Sequence, residues 1–168
     1  MYKIIDNFLE QEQFEPIWKF FMGIECSWYY STGVAQSGIA EGKYFYMIHS
    51  VYQDSQPTSN AWRLVLPILH KLKTKSLLRI KANLYPNQDD KVHTHDPHTD
   101  YTFPHKAAIF SINTCNGGTI IGGKKIDSVK NRMVIFDGSV PHSSTTCTDE
   151  QIRVNIGFNY IDEECLNK

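Results

Sequence analysis

The sequence predicts an α+β fold in which N-terminal helices buttress an antiparallel jelly roll. Three observations carry that reading. Apolar residues recur at helical spacing in two stretches before residue 75. From residue 77 onward, short strand-like runs are separated by Gly-containing turns. The last run alternates strictly, with Arg153, Asn155, Gly157 and Asn159 on one face and Val154, Ile156, Phe158 and Tyr160 on the other. A length of 168 residues fits one domain spanning 1–168, with a helical buttress over about 1–75 and a β-rich core over about 77–161. A domain of this size buries roughly 70% of its unfolded surface, enough for a core with a lined pocket.

Taken in order, Ile4-Ile5 reads as a short strand, and Asp6 or Asn7 offers a side-chain oxygen to cap a helix over about 10–22. Phe14, Ile17, Trp18 and Phe21 form its apolar face, and Gly23 stops it. Residues 26–31 and 43–48 are aromatic strand candidates around a loop-rich stretch, 33–42. Thr58 or Ser59 could cap a second helix over about 59–73, carrying Trp62, Leu64, Val65, Ile68 and Leu69 inward, with a bend at Pro67. Residues 77–85 form a strand that Pro86 ends, and 87–97 is a polar loop. Further strands cover 106–113, 119–121, 124–126, 132–137, 145–147 and 151–161. Gly122-Gly123 between two of them is a two-residue hairpin signal, and Asn116-Gly117-Gly118 reads as a turn.

Composition narrows the function classes. Net charge is −1, from 17 Lys+Arg against 18 Asp+Glu, so no basic field advertises a nucleic-acid partner. The nearest basic stretch, Lys71, Lys73, Lys75, Arg79 and Lys81, reads as a solvated helix end running into a strand. The cysteines Cys26, Cys115, Cys147 and Cys165 form no C-x-x-C pair, which disfavours a zinc knuckle and favours free thiols in a reducing compartment. No run of about 18 apolar residues exists, so the expectation is no membrane span and, by default, a cytoplasmic location.

The chemistry centres on His98-Thr99-Asp100. In an extended segment alternate side chains share a face, so His98 and Asp100 point the same way. His142 follows at a loop mouth after an apolar run. Two imidazoles and a carboxylate make a facial set that suits non-haem Fe(II) and leaves positions open. By itself H-x-D is weak, because the same loop holds His93, His95, Asp96 and His105, and His95 is a spare ligand if the register shifts. Arg153, eleven residues after His142, could clamp a carboxylate bidentately. A polar face bearing an arginine is costly if it points inward without a partner; the plain alternative is that it faces solvent.

Taken together, the sequence resembles the Fe(II)/2-oxoglutarate-dependent dioxygenases, especially their small prolyl-4-hydroxylase-like members from bacteria and viruses. The resemblance covers about 77–161 and rests on Asn83-Leu84-Tyr85, His98-Thr99-Asp100, Gly117-Gly118-Thr119, the run from Asn131 to Phe136, His142, and Arg153-Val154-Asn155. It implies a double-stranded β-helix and iron held by His98, Asp100 and His142. It also implies 2-oxoglutarate chelating the metal through its keto acid end, with its far carboxylate on Arg153. Tyr85 matches a position that often hydrogen-bonds the cosubstrate, and Asn83 and Asn155 are further candidates. The implied reaction uses molecular oxygen, with ascorbate a candidate accessory reductant, to hydroxylate a C–H bond of a prolyl, peptidyl or amino-acid substrate. Three alternatives stand beside it. The nucleobase-demethylating branch shows a similar Asn-x-Tyr and Arg-x-Asn, but also a second arginine where this chain has Asn159. A non-catalytic metal- or carboxylate-binding jelly-roll module, or a zinc hydrolase using the same triad, would need the same residues. Walls of the substrate pocket are expected from 31–42 and 86–105, with Tyr101 and Phe103 near the site.

Overall fold

A computed structural model describes residues 1–31 and 45–166. The chain runs β1 (Tyr2–Ile5), α1 (Gln11–Met22), β2 (Tyr29–Ser31), β3 (Tyr46–Gln53), β4 (Gln56–Pro57) and α2 (Trp62–Leu72). It continues β5 (Ser76–Pro86), β6 (Lys106–Ser111), β7 (Cys115–Ile121), β8 (Lys124–Ser128), β9 (Arg132–Asp137), β10 (His142–Ser144), β11 (Ile152–Ile161) and α3 (Glu163–Leu166). The expected loop over 33–42, and the start of the strand placed at 43–48, lie outside the described residues.

Two antiparallel sheets form the jelly roll. The larger has eight strands in the order β1-β9-β6-β11-β5-β3-β2, with β4 paired to β3. The smaller has three, ordered β10-β7-β8. On its outer face the large sheet carries the helices. Phe14, Ile17 and Phe21 of α1 and Val65, Ile68 and Leu72 of α2 pack onto Ile80, Ala82, Phe110, Val154, Ile156 and Phe158 in one buried cluster. Each such side chain, fully buried, contributes about 1.5–3 kcal/mol. On the inner face, Ala107, Val134 and Phe136 meet Ile121 and Ile126 of the small sheet. Strict period-two alternation sorts β5 and β11 between these two faces. Their apolar residues go to the helices, and their polar residues go to the space between the sheets.

Several local expectations are corrected. Neither Asp6 nor Asn7 caps α1: its N-cap is Glu10, without a side-chain cap. Asp6 is taken instead by Arg132, at 2.5 and 3.0 Å, and Asn7 turns the chain at φ +48°. Trp18 sits at the margin of the apolar face, 36% exposed. The second helix starts at Trp62, and Ser59 serves one turn earlier, accepting the Ala61 N–H at 3.2 Å and meeting His49 Nε2 at 2.9 Å. Asn116-Gly117-Gly118 is not a turn but part of β7. Its glycines allow close approach of other chain segments, whereas the true turn residues Gly122 and Gly123 have φ +57° and +76°. The strand placed at 145–147 comes earlier, as β10, because pairing of Ser144 with Thr119 ends the ladder.

Two asparagines fix the frame around the site. Asn131, at φ +61°, exchanges two side-chain hydrogen bonds with the backbone of Leu9 (2.8 and 3.0 Å) and so ties the N-terminal segment to the β8–β9 turn. Asn113 accepts from Val154 N at 2.8 Å and donates to Ile152 O at 2.8 Å, bracketing Arg153. All four cysteines are free thiols.

Candidate active site

A cleft of about 560 Å³, open solvent at its mouth included, lies between the sheets. His98, Asp100, His142, Tyr85, Asn83 and Asn155 all line it. His98 and His142 are brought side by side by backbone pairing. Each N–H donates to the other's carbonyl at 3.0 Å, and their rings stand 4.7 Å apart between centroids. His142 Nδ1 lies 3.3 Å from Val140 O, which favours a proton on Nδ1 and leaves the Nε2 lone pair free. That Nε2 is 4.0 Å from Asp100 Oδ2. Burial, then the neighbouring His98, lowers the His142 pKa against the opposing pull of Asp100, so the imidazole is held neutral, as a metal ligand must be.

Asp100 is held from below. Arg79 Nη2 reaches its Oδ1 at 2.5 Å, and Asn159 Nδ2 donates to its Oδ2 at 2.9 Å. Burial alone would raise the carboxyl pKa, but the Arg79 charge, the Asn159 hydrogen bond and His142 outweigh it and bring it to about 2. Arg79 and Asn159 are the partners that sequence reading did not find. Lys71, Lys73 and Lys75 are the exposed helix end expected, but Arg79 and Lys81, on the strand that follows, turn into the cleft. Counting back by twos from Tyr85 on β5 gives Asn83, Lys81 and Arg79, all on the cleft. The period was available in the sequence, but a run of like charges hid it.

Arg153 lies beneath the cleft and is 1% exposed. The polar face of β11 therefore points inward, which removes the solvent-facing alternative. Its Nη1 donates to Thr145 O at 3.1 Å, its Nη2 to Thr119 Oγ1 at 3.1 Å, and its guanidinium lies 5.1 Å from the Tyr85 ring centroid. Gly117 makes room: a Cβ there would come within 2.8 Å of Arg153 Cδ and 2.5 Å of Thr146 O. Arg153 Nε has no partner, and among the described residues no carboxylate pairs with this buried cation. Burial presses its pKa down, countered by Tyr85 and by the Cys115 and Cys147 thiols. An uncompensated buried guanidinium is expensive, so the arrangement suits a ligand carboxylate.

The other predicted residues gather around it. Tyr85 pairs with Arg153 across β5 and β11, stacks on Tyr46 at 5.6 Å, and has its pKa raised by burial. Asn83 Nδ2 donates to Asn155 Oδ1 at 3.0 Å, leaving one amide carbonyl and one amide NH₂ for a ligand. His95 does not replace His98. Its Nδ1 meets Ser144 O and Oγ at 3.0 and 2.9 Å, and its ring stacks on Tyr85 at 5.4 Å. Burial lowers its pKa to about 4.

The donor set fits iron(II): one ionised carboxylate and two imidazoles, one of them held neutral, on the wall of an open cleft. A tighter group of metal-capable atoms exists elsewhere. Cys115, Cys147 and Asp149 offer ligand atoms within 4.8 Å of one another. There, however, both Asp149 oxygens already accept the Asn116 N–H at 2.9 Å.

No family model and no curated relative matches the chain. Solved structures do. A prolyl hydroxylase from Trichoplax adhaerens, in complex with a hypoxia inducible factor oxygen degradation domain peptide fragment, aligns with a TM-score of 0.68 at 16% identity, covering 98% of this chain and 84% of that one. A 2OG-Fe(II) oxygenase family oxidoreductase from Burkholderia pseudomallei aligns with a TM-score of 0.72 at 10% identity, covering 95% and 84%. The epimerase SnoN in complex with Fe3+, alpha ketoglutarate and nogalamycin RO aligns with a TM-score of 0.60 at 12% identity, covering 96% and 78%. The chain thus has the jelly-roll fold of the 2-oxoglutarate/Fe(II) oxygenases. Among the described residues no helix is long and apolar enough to cross a membrane.

Proposed function

We propose that the chain is an Fe(II)- and 2-oxoglutarate-dependent dioxygenase that hydroxylates a C–H bond of a prolyl, peptidyl or amino-acid substrate. Residues 1–168 act as one catalytic domain; the expected division into a buttress over about 1–75 and a core over about 77–161 is corrected, since only α1 and α2 of the first part buttress the jelly roll while β1 to β4 join its large sheet. The observation that carries the reading is the pairing of two incomplete sites. A His-Asp-His set with open positions lines a cleft, and against Tyr85 on the wall of that cleft lies a fully buried arginine that no carboxylate among the described residues pairs with. A metal-chelating keto acid with a distal carboxylate completes both at once. The fold likeness supports this, since the similar proteins include a prolyl hydroxylase and a protein holding Fe3+ and alpha ketoglutarate.

Bound iron supplies the oxygen chemistry, in which 2-oxoglutarate and molecular oxygen yield succinate and carbon dioxide as the substrate is hydroxylated. The chain supplies position and charge. His98, Asp100 and His142 hold the metal, and Arg79 with Asn159 fixes the Asp100 carboxylate in its ionised form. Arg153, backed by Thr119 and stacked under Tyr85, takes the far carboxylate and so sets the direction of the keto acid end. The amide pair Asn83–Asn155 lies one rung further along the same strands and borders the cosubstrate. Nucleobase demethylation gains no support: Asn159, where that branch carries an arginine, is engaged with Asp100. The test is succinate release with iron(II), 2-oxoglutarate and oxygen, comparing the parent with His98→Ala. Turnover present in the parent and lost in the variant supports the reading; equal turnover in both sinks it.

A further inference from the structure

A second set of metal-capable side chains lies outside the cleft. Cys115 opens β7, Cys147 follows β10, and Asp149 comes two residues later. One ligand atom from each lies within 4.8 Å of the other two. None of the three lines the cleft. Both thiols are free and buried, whereas Asp149 is exposed, so the set has a dry side and a side open to water.

Asn116 builds the frame that holds them. It follows Cys115 directly, and it ties down the segment after Cys147. Its N–H is shared between the two Asp149 oxygens at 2.9 Å, its Nδ2 donates to Thr148 Oγ1 at 2.8 Å, and its Oδ1 accepts the Thr148 N–H at 2.9 Å. An ionised carboxylate has about four acceptor positions, so one shared N–H leaves room for a metal bond. A hydrogen bond of this kind is also what aims a ligating carboxylate.

The electrostatics favour thiolate. A hydrogen bond with Cys147 brings the Cys115 pKa down to about 7 against burial, and the charge of Arg153 acts the same way. Two thiolates and a carboxylate outweigh a divalent cation by one charge. The loaded set therefore stays net negative beside the buried guanidinium, with which both sulfurs interact. Thiolate ligands select zinc over magnesium, calcium or manganese. Three protein ligands leave the fourth tetrahedral position to water on the Asp149 side.

We propose that Cys115, Cys147 and Asp149 form a second metal site, which takes zinc(II) as the thiols release their protons to solvent. Bound zinc ties the start of β7 to the segment after β10. Those two pieces of chain supply Thr119 and Thr145 to Arg153, so the metal braces the floor on which the guanidinium rests. The inference goes beyond the oxygenase reading and does not depend on it.

The test is a cobalt(II) titration of the full chain, reduced, stripped of metal and kept under argon. Cobalt bound by thiolate shows a charge-transfer absorption in the near ultraviolet that a His-Asp-His set cannot produce. The parent and His98→Ala show that band alike, Cys115→Ser and Cys147→Ser lack it, and added zinc(II) bleaches it. Asp149→Asn keeps an acceptor for Asn116 but loses the anionic ligand, and it weakens cobalt binding at the band by about tenfold or more. Because Asp149 is exposed, that variant decides the matter if a serine variant fails to fold. The proposal is overturned if the parent shows no band, if the band survives Cys115→Ser, if it is unchanged in strength and affinity in Asp149→Asn, or if it disappears in His98→Ala. Failure of the His-Asp-His set to take metal would leave the band untouched.

Discussion

Replacing Arg153 with methionine separates ligand binding from folding. In the parent the guanidinium is 1% exposed, makes two hydrogen bonds at 3.1 Å, and leaves Nε unpartnered. Without ligand its charge is buried and unanswered, so exchanging it for an apolar side chain of similar length relieves a desolvation cost. Against that stands the loss of the bonds to Thr145 O and Thr119 Oγ1. The two effects oppose, and unfolding free energy of the metal-free protein moves by no more than about 2 kcal/mol. Ligand binding behaves differently, because a desolvated carboxylate loses its one cationic partner. That costs about 2–5 kcal/mol, or roughly thirtyfold to several-thousandfold in Kd. The assay is calorimetric titration of 2-oxoglutarate into manganese-loaded protein, with urea unfolding of the metal-free forms alongside. A second ligand sharpens it: 2-oxobutyrate keeps the keto acid end and lacks the far carboxylate. The parent strongly prefers 2-oxoglutarate over 2-oxobutyrate, and Arg153→Met binds the two alike. If the variant binds 2-oxoglutarate within about threefold of the parent, or still discriminates, the carboxylate is held elsewhere and the reasoning fails.

Two further outcomes follow from the Asp100 cluster. Arg79→Met leaves Asp100 with Asn159 alone, and metal affinity drops by about 10–100-fold in a chelator-competition titration, as expected for removal of a residue that orients a ligand; unchanged affinity would place the metal away from Asp100. In the metal-free protein Asp100 has a pKa of about 2 against an ordinary 3.8, so the folded state favours its ionised form. That stabilisation, about 2 kcal/mol, is complete above pH 4 and is lost as pH falls toward 2. His142, whose pKa is also lowered, acts in the same direction over its own range. Stability against urea measured from pH 7 to pH 2 should therefore fall less steeply in Asp100→Asn than in the parent below pH 4, and parallel curves would show that Asp100 is not held this way.

Much of this was legible in the sequence because the β-strands keep a period of two. Alternation over 153–160 correctly split β11 into a helix-facing and a cleft-facing side. The Gly122-Gly123 hairpin followed from the positive φ that such turns need. His98, Asp100 and His142, expected together from residue type and order, line one cleft, and Arg153 is buried against Tyr85 beside it. What stayed hidden depends on tertiary contact. Arg79 and Asn159 are 80 positions apart, yet both meet at one carboxylate. Gly117-Gly118 looks like a turn until the strand that crowds it is known. The missing cap on α1 is a matter of where the helix begins: its N-cap is Glu10, four residues past Asp6, whose carboxylate pairs with Arg132. Local chemistry proposed a role for each of these residues, and a distant partner decided it.

The measurement that bears most directly on the whole account is a crystal structure of the protein grown anaerobically with iron(II) and 2-oxoglutarate. The account predicts metal bonded to His98, Asp100 and His142, with the far carboxylate of the ligand on Arg153. Metal held instead by Cys115, Cys147 and Asp149, or a bound 2-oxoglutarate that leaves Arg153 without a carboxylate, would contradict it.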